Sequence, residues 1–311
     1  MIVLLLGILL SSQTTVGLLS VKVPTYLCIY YGYPSLVQNS SGNLVSAANW
    51  FKQFDLIVFG AGIWNINHTD HNNTMNITRT LVAKGKRVFG YVDLGVIPGT
   101  NNYSYTQMQQ AVNGWSQMGA TGIFWDDAGF DYGVTRQRQS DMINYCHNKS
   151  MNVIMNAWNP DDVLGGNNVT LNSGDIYILE SYLVSNGTYQ PLLNWTAKAN
   201  KVAAYQCSLG IQVACLSTNR TSDQFTQAWF GTAVYNFDYF QATDITYSAY
   251  GSSMNRVAYY PNPSNSYGTI WQSANVIPNA ANTNFSRSTE TWKLNVFGDG
   301  ASWGYGTFTP V

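Results

Sequence analysis

Short, uninterrupted apolar runs recur along this sequence at nearly regular spacing, and turn-forming residues flank each of them. Continuous apolar runs of this length are typical of parallel strands that are buried on both faces. The spacing therefore predicts eight strands of one parallel sheet, at residues 27–31, 56–59, 87–92, 122–125, 153–155, 176–179, 202–205 and 239–242.

Segments of helical length separate these runs, and residues 108–118, 136–146 and 225–235 place apolar side chains at helical spacing. Strand–helix alternation repeated eight times predicts an α/β fold of the (β/α)8 TIM barrel type over residues 24–250. A doubly wound open sheet is the structural alternative. No Gly-x-Gly-x-x-Gly turn follows the first run, so a dinucleotide-binding version of that sheet has no support.

The character of the chain changes after Tyr250, where Asn, Ser and Pro become frequent. From Trp292 onward, two apolar stretches flank a turn at Gly298-Asp299-Gly300. This pattern predicts a β-hairpin. We expect residues 251–311 to form a loop and a small β extension that packs on the barrel.

The first 20 residues combine an apolar run with Ser, Gln and Thr, and this pattern predicts a cleaved signal peptide. The run is too short for a bilayer span, which needs about 20 apolar residues. A retained anchor that reaches Val23 is the alternative. No later segment is predicted to span a membrane.

Only 10% of the residues are charged and the net charge is −1, so no basic face for nucleic acid is expected. Sequons for N-glycosylation are unusually dense, which indicates a secreted or surface-associated glycoprotein whose glycans replace charge as the solubilising group. The sequons are at Asn39, Asn67, Asn72, Asn76, Asn102, Asn148, Asn168, Asn186, Asn194, Asn219 and Asn284.

The four cysteines permit disulfide formation in an exported protein. Cys207 and Cys215 would close a short loop and are predicted to pair, whereas Cys28 is expected to be a small core residue. No Cys-x-x-Cys spacing or histidine cluster indicates a metal site, and no cofactor is predicted. His68 and His71 are expected to be solvated loop residues.

Acids and amides follow several of the predicted strands, and in a TIM barrel the chemistry lies where the strands end. The residues at these ends are Asp93, Asp126, Asp127, Asn156, Glu180, Gln206 and Asp244. Asp also caps helices, and capping explains Asp93 and Asp244 as well as function does. Asp126 and Glu180 are not obvious caps, which favours a functional role for both.

Two carboxyl groups that flank a pocket are what glycoside hydrolysis requires, one as proton donor and the other as nucleophile or base. Asp126 and Glu180 are therefore predicted to be catalytic, and their separation would decide between retention and inversion. Asn156 is expected to bind a sugar hydroxyl or N-acetyl group. The further substrate-binding candidates are Asp93, Asp127, Asp244 and the aromatic residues Tyr31, Tyr91, Trp125, Trp158 and Tyr182, whose ring faces suit sugar stacking.

The order of these motifs resembles the spherulin-4-like glycoside hydrolases, which include enzymes that cleave α-1,4-linked galactosamine polymers. The resemblance lies in Gly90-Tyr91-Val92-Asp93, Gly122-Ile123-Phe124-Trp125-Asp126-Asp127, Asn156, Glu180 and Thr243-Asp244, with Tyr31-Gly32-Tyr33-Pro34 at the start. It covers roughly residues 26–263. It implies that Asp126 and Glu180 are the catalytic carboxylates and Asn156 a substrate-binding amide. Asp127 stands where the family has Glu, and Trp125 where it has Phe.

Two functions follow from these observations. The first is a secreted glycosidase that acts on an amino-sugar-containing polysaccharide or a surface glycan. The second is a non-catalytic glycan-binding or structural glycoprotein, such as a cell-surface or virion component, that keeps the barrel. Two facing acids favour the enzyme. A metal-dependent deacetylase is weakly supported because the acids lack a histidine partner.

Overall fold

The computed structural model describes residues 19–60, 62–247 and 256–311. Eight parallel strands form a closed barrel in the order β1-β8-β7-β6-β5-β4-β3-β2, which confirms the predicted TIM barrel. The strands are β1 Thr25–Tyr30, β2 Leu56–Phe59, β3 Arg87–Asp93, β4 Gly122–Asp126, β5 Asn152–Asn156, β6 Ile176–Leu179, β7 Gln212–Asn219 and β8 Tyr239–Asp244.

Helices connect the strands and form the outer layer of the barrel. They are α1 Leu44–Phe51, α2 His71–Val82, α3 Tyr105–Met118, α4 Arg136–His147, α5 Asp161–Leu164, α6 Leu192–Leu209 and α7 Ser222–Val234, with 3-10 turns at Pro34–Asn39 and Phe130–Tyr132. The three helices predicted from apolar spacing are confirmed. Among the described helices, none has both the length and the apolar character of a membrane span.

Local sequence signals explain where the helices begin and end. Ser104 and Gln107 form a capping box at the start of α3, and Gly119 ends that helix in the left-handed conformation at φ 93°. Thr135 and Thr221 cap α4 and α7 by accepting hydrogen bonds from backbone N–H groups. These caps satisfy backbone groups that would otherwise lack partners.

The predicted seventh strand at residues 202–205 is wrong, because this stretch lies within α6. Trp195, Ala199 and Val202 are buried at helical spacing along that helix. Gly210 then ends α6 at φ 70°, and the strand follows as β7. Gln206 consequently does not end a strand, and its amide donates to Asp238, which precedes β8 at the opposite end of the barrel.

Side chains alternate along each strand between the barrel interior and the helix layer. The interior holds a core that includes Leu27, Val58, Phe89, Phe124 and Ile178. A second core lies between the strands and the helices. This alternation decides which residues of each strand can reach the rim of the barrel.

Arg87 closes the amino-terminal end of the barrel interior. Its guanidinium donates to Gln212 at 2.6 Å, to Tyr239 at 2.9 Å and to the Gly174 carbonyl at 2.8 Å. It also lies over the ring of Phe89, 5.1 Å from the centroid. Arg87 is half-buried, and these acceptors compensate its charge.

A close contact in β3 depends on a residue without a side chain. Gly90 lies against Trp115 of α3, and a Cβ at Gly90 would lie only 2.0 Å from the indole ring. The Trp115 indole N–H donates to the Tyr91 carbonyl at 3.3 Å. The indole therefore packs directly on the β3 backbone beside Tyr91.

The carboxyl-terminal region forms a four-stranded antiparallel sheet, in agreement with the predicted β extension. Its strands are β9 Ile277–Pro278, β10 Asn284–Ser288, β11 Trp292–Gly298 and β12 Gly304–Pro310, and β11 and β12 form the predicted hairpin. Gln227 of α7 donates to the Phe297 carbonyl at 2.9 Å, so the sheet packs on the barrel. The signal-peptide prediction covers residues 1–20 and falls mainly outside the described residues. Ser20, which is described, forms an isolated antiparallel β-bridge with Ile270.

Candidate active site

Three strand ends bring Asp126, Asn156 and Glu180 together at the carboxyl-terminal rim. Asp126 ends β4, Asn156 ends β5 and Glu180 directly follows β6. The Asn156 amide nitrogen donates to Asp126 at 2.8 Å and to Glu180 at 3.1 Å. One amide group thus joins the two carboxylates that the sequence singled out, and both face the same space.

Asp126 is held by several donors. Tyr91, on the neighbouring strand β3, donates its hydroxyl proton to Asp126 at 2.6 Å. The backbone N–H of Asp127 also bonds to the Asp126 carboxylate. These donors fix the orientation of the carboxylate, and each hydrogen bond to the ionised form acts to lower its pKa.

Burial raises the pKa of Asp126 above its usual range, while the hydrogen bonds from Tyr91 and Asn156 act in the opposite direction. Burial also raises the pKa of Glu180, and the charge of Asp126 adds to that rise against the hydrogen bond from Asn156. Glu180 remains accessible from solvent through a cleft, but protein atoms replace much of its hydration. An ionised Asp126 therefore makes ionisation of Glu180 less favourable.

Asp127 lies beside the pair but in a different backbone conformation, with a φ of 50°. Burial, followed by the charge of Asp126, raises the pKa of Asp127 to about 7. A hydrogen bond with Tyr132 opposes this rise. The part of Asp127 in substrate binding stays a prediction.

Aromatic side chains form the floor beneath the carboxylates. The ring of Tyr91 stacks on Phe124 with centroids 5.7 Å apart. Tyr31 contacts Tyr91 edge-on at 6.1 Å and Tyr247 at 5.8 Å. Tyr31 and Tyr91 are both half-buried, so each supports the site from below and retains an accessible part.

A cleft of about 430 Å³ opens next to Glu180. Its walls come from the segments after β5 and β6 and from α6, and they include Trp158, Asn159, Gln190, Asn194, Lys198 and Lys201. Trp158 is 64% exposed, as a sugar-stacking residue should be. The volume and the mix of one indole with amides and lysines suit a polar ring compound.

Three predicted substrate contacts are buried, although one of them, Tyr182, still lines the cleft. Trp125 is fully buried in the helix-side core, because Asp126 takes the inward-facing position on β4. Tyr182 is buried beneath the cleft, and its hydroxyl donates to the Gly231 carbonyl at 3.0 Å. Asp93 is buried and accepts from the Gly95 and Asn101 backbone N–H groups at 2.8 Å, so it braces its own loop.

Asp244 is exposed at the end of β8 and accepts from the Thr246 backbone N–H at 2.8 Å. This hydrogen bond matches the turn-forming role that is common for Asp. Among the described residues, the Asp244 carboxylate bonds to Thr246 and not to the Asp126 network, although it lies at the same rim. Its part in substrate binding remains a prediction.

The predicted disulfide between Cys207 and Cys215 is wrong, because both thiols are free. Cys207 is exposed near the end of α6, whereas Cys215 is buried within β7. Cys28 is a buried core residue, as predicted. The prediction for His71 is also wrong, since this side chain is buried and its Nδ1 bonds the Ile63 carbonyl at 2.9 Å.

The predicted glycosylation sites differ in accessibility. Asn219 is 3% exposed in β7, so its amide is closed to an attached glycan in the folded protein. Asn168 and Asn284 are half-buried. The remaining sites are exposed, namely Asn39, Asn67, Asn72, Asn76, Asn102, Asn148, Asn186 and Asn194. Asn194 lines the cleft, so a glycan there would stand at its edge.

Sequence reasoning missed Lys198 and Gln190, which line the cleft. Lys198 was overlooked because the segment that follows it was assigned to a strand. Helical spacing of Trp195, Ala199 and Val202 was the available signal, and it places Lys198 on the half-exposed side of α6.

Solved structures with a similar chain path include a Saccharomyces cerevisiae α-galactosidase, with a TM-score of 0.52, 8% identity and coverage of 90% of this chain and 74% of that chain. The same enzyme with raffinose gives a TM-score of 0.52 at 10% identity and the same coverage. The glycoside hydrolase domain of PelA from Pseudomonas aeruginosa gives 0.48 at 10% identity, over 76% of this chain and all of that domain. No family profile and no curated protein sequence matches the chain. At these identities the likeness concerns the barrel fold.

Proposed function

We propose that this protein is a glycoside hydrolase that uses Asp126 and Glu180 as its catalytic pair. The observation that carries the proposal is the Asn156 amide, which donates to both carboxylates at 2.8 and 3.1 Å beside an accessible cleft. Two carboxyl groups at one rim with raised pKa values fit the acid and base roles of glycosidic bond cleavage. The aromatic side chains beneath the carboxylates and the barrel fold are both compatible with glycosidic bond cleavage.

The surroundings of the two acids support different roles. Asp126 receives hydrogen bonds from Tyr91, Asn156 and the Asp127 backbone, which favour the charged form and suit a nucleophile. Within the part of the chain that the structure describes, Glu180 has one side-chain donor, Asn156, and it opens onto the cleft, which suits a proton donor to the leaving oxygen. In the second half of the reaction, Glu180 would take a proton from the attacking water.

The shared amide also bears on stereochemistry. Two hydrogens of one planar amide diverge by about 120°, so oxygens bonded to each at these distances lie about 5 Å apart. Retaining glycosidases have carboxyl groups separated by about 5–5.5 Å, whereas inverting enzymes need about 6.5–9.5 Å. The spacing therefore supports a double displacement through a covalent glycosyl–Asp126 ester, with net retention.

The substrate class and cellular location are further parts of this proposal. The resemblance to spherulin-4-like hydrolases suggests a polysaccharide rich in amino sugars. The exposed sequons support an exported glycoprotein, because N-glycans are attached in the secretory route. The alternative, a glycan-binding protein without activity, would use the same cleft and Trp158.

We expect the wild-type protein to release new reducing ends from at least one polysaccharide in a panel of galactosamine polymers and cell-surface glycans. The Asp126→Asn variant should release none, because an amide cannot form the glycosyl ester. Product release is measured by reducing-end assay and chromatography. Binding of a polysaccharide without cleavage by the wild type would contradict the enzyme and favour the glycan-binding alternative.

We expect a bell-shaped pH dependence of kcat/KM, with activity lost at low pH as Asp126 is protonated and at high pH as Glu180 ionises. Because the pKa values of Asp126 and Glu180 are both raised, the acid limb and the alkaline limb of the kcat/KM profile should both lie above about pH 4. Tyr91→Phe removes a donor to the Asp126 carboxylate and should move the acid limb to higher pH. Profiles measured between about pH 3 and pH 9 test this. An acid limb that stays in place in Tyr91→Phe would contradict the role of Asp126.

A further inference from the structure

The cleft beside Glu180 contains a positive charge on Lys198, which the charge of Glu180 offsets when that carboxyl group is ionised. It is lined by two lysines, Lys198 and Lys201, in a chain that has only 15 lysines and arginines. Lys201 forms an ion pair with Asp161 at 2.6 Å. Among the described residues, the ammonium group of Lys198 forms no ion pair. When Glu180 is protonated as the acid, the cleft therefore carries a net positive charge.

Lys198 is held in a defined position. It is half-buried on α6, and its ammonium lies 4.2 Å from the centre of the Trp158 ring. A cation over an indole face is attracted by the ring, so Trp158 fixes the charge at this wall of the cleft. Trp158 is still 64% exposed, which leaves indole surface for a sugar ring next to the ammonium.

We propose that the sugar bound beside Glu180 carries an anionic substituent, a carboxylate or a sulfate, which Lys198 recognises while Trp158 stacks on the ring. This inference rests on the proposed glycosidase function and specifies its substrate. A de-N-acetylated amino sugar would bring a second ammonium next to Lys198, and like charges in a partly desolvated cleft repel each other. The preferred polymer therefore differs from a cationic galactosamine chain.

The preference for an anionic sugar must come from the cleft itself, because the net charge of the whole chain is only −1. A nearly neutral protein does not steer anions or cations over long distances. A local contact between a half-buried ammonium and an anionic group, in contrast, is a charge-assisted hydrogen bond and is stronger than a neutral one. Substitution of Lys198 should consequently remove selectivity without altering the rest of the cleft.

The test measures binding to the inactive Asp126→Asn variant by calorimetry at low salt, so that no probe is cleaved. The probes share a galactose ring: an α-1,4-oligogalacturonate hexamer, its methyl ester, an α-1,4-galactosamine hexamer and a 6-sulfated galactan oligomer. Comparison of the oligogalacturonate with the sulfated galactan shows whether the cleft recognises a carboxylate or a sulfate. We expect an anionic probe to bind at least about tenfold more tightly than the methyl ester and the galactosamine hexamer.

Lys198→Gln, added to Asp126→Asn, should reduce this preference to within about twofold, whereas Lys52→Gln, at an exposed lysine outside the cleft, should retain it. The proposal is overturned if the galactosamine hexamer binds as tightly as the anionic probes. It is also overturned if the two lysine variants lose selectivity equally, or if the folded Asp126→Asn protein binds neither anionic probe. Failure of the glycosidase proposal is separate, since it would show as an absence of new reducing ends from the wild type.

Discussion

Glu180→Gln is expected to lower kcat on a natural glycan by about 10³- to 10⁴-fold, because the leaving oxygen then lacks its proton donor. A dinitrophenyl glycoside of the same sugar needs no such proton, so its first step should be nearly unaffected. The measurement is burst kinetics with both substrates, followed by NMR of the anomeric configuration of the first product.

Asp126→Asn should lose activity by about 10⁴-fold or more on both kinds of substrate, because the nucleophile is needed whatever the leaving group is. Asp141→Asn, an exposed acid on α4, is the matched control and should keep normal turnover. Equal losses of Glu180→Gln on the two substrates would contradict its role as proton donor. A product of inverted configuration would contradict the nucleophilic role of Asp126.

Gly90→Ala should destabilise the fold by about 3 kcal/mol or more, because its methyl group would lie 2.0 Å from the Trp115 ring and the core cannot accommodate it without rearrangement. Denaturant unfolding measures the loss. In the double variant Gly90→Ala/Trp115→Leu the smaller side chain leaves room, so the two changes should cost less together than their sum.

Additive losses in that double-mutant cycle would show that the contact between Gly90 and Trp115 is not the cause. The cycle also reports on the site, because the Trp115 indole donates to the carbonyl of Tyr91 and Tyr91 holds Asp126. A variant that folds but has a displaced Tyr91 should therefore show a shifted acid limb in the pH profile of kcat/KM as well as lower stability.

The barrel and the grouping of Asp126, Asn156 and Glu180 at one rim were predictable because they depend on local patterns. The apolar runs at residues 122–125, 153–155 and 176–179 end within one residue of the ends of β4, β5 and β6. Parallel strands then bring Asp126, Asn156 and Glu180 to one rim. The alternation of side chains along β4 also predicts the orientation of Trp125. If Asp126 faces the interior, its neighbour Trp125 must face the helices.

Other features depended on information that local patterns lack. The stretch at residues 202–205 is apolar in either a helix or a strand, and only the longer spacing along α6 distinguishes them. The pairing of Cys207 with Cys215 assumed a loop between them, but the helix end and β7 occupy that segment. Lys198 acquires its significance only when Trp158 and Glu180 lie nearby, which no sequence spacing specifies.

The Arg87 cluster seals the end of the barrel opposite the carboxylates. A molecule that reaches Asp126 therefore arrives and departs on the carboxyl-terminal side and not through the barrel interior. A cleaved fragment that lingers in the cleft blocks the next substrate directly, so fragments of the product should behave as competitive inhibitors. The rate of fragment departure can then govern overall turnover even when bond cleavage is fast.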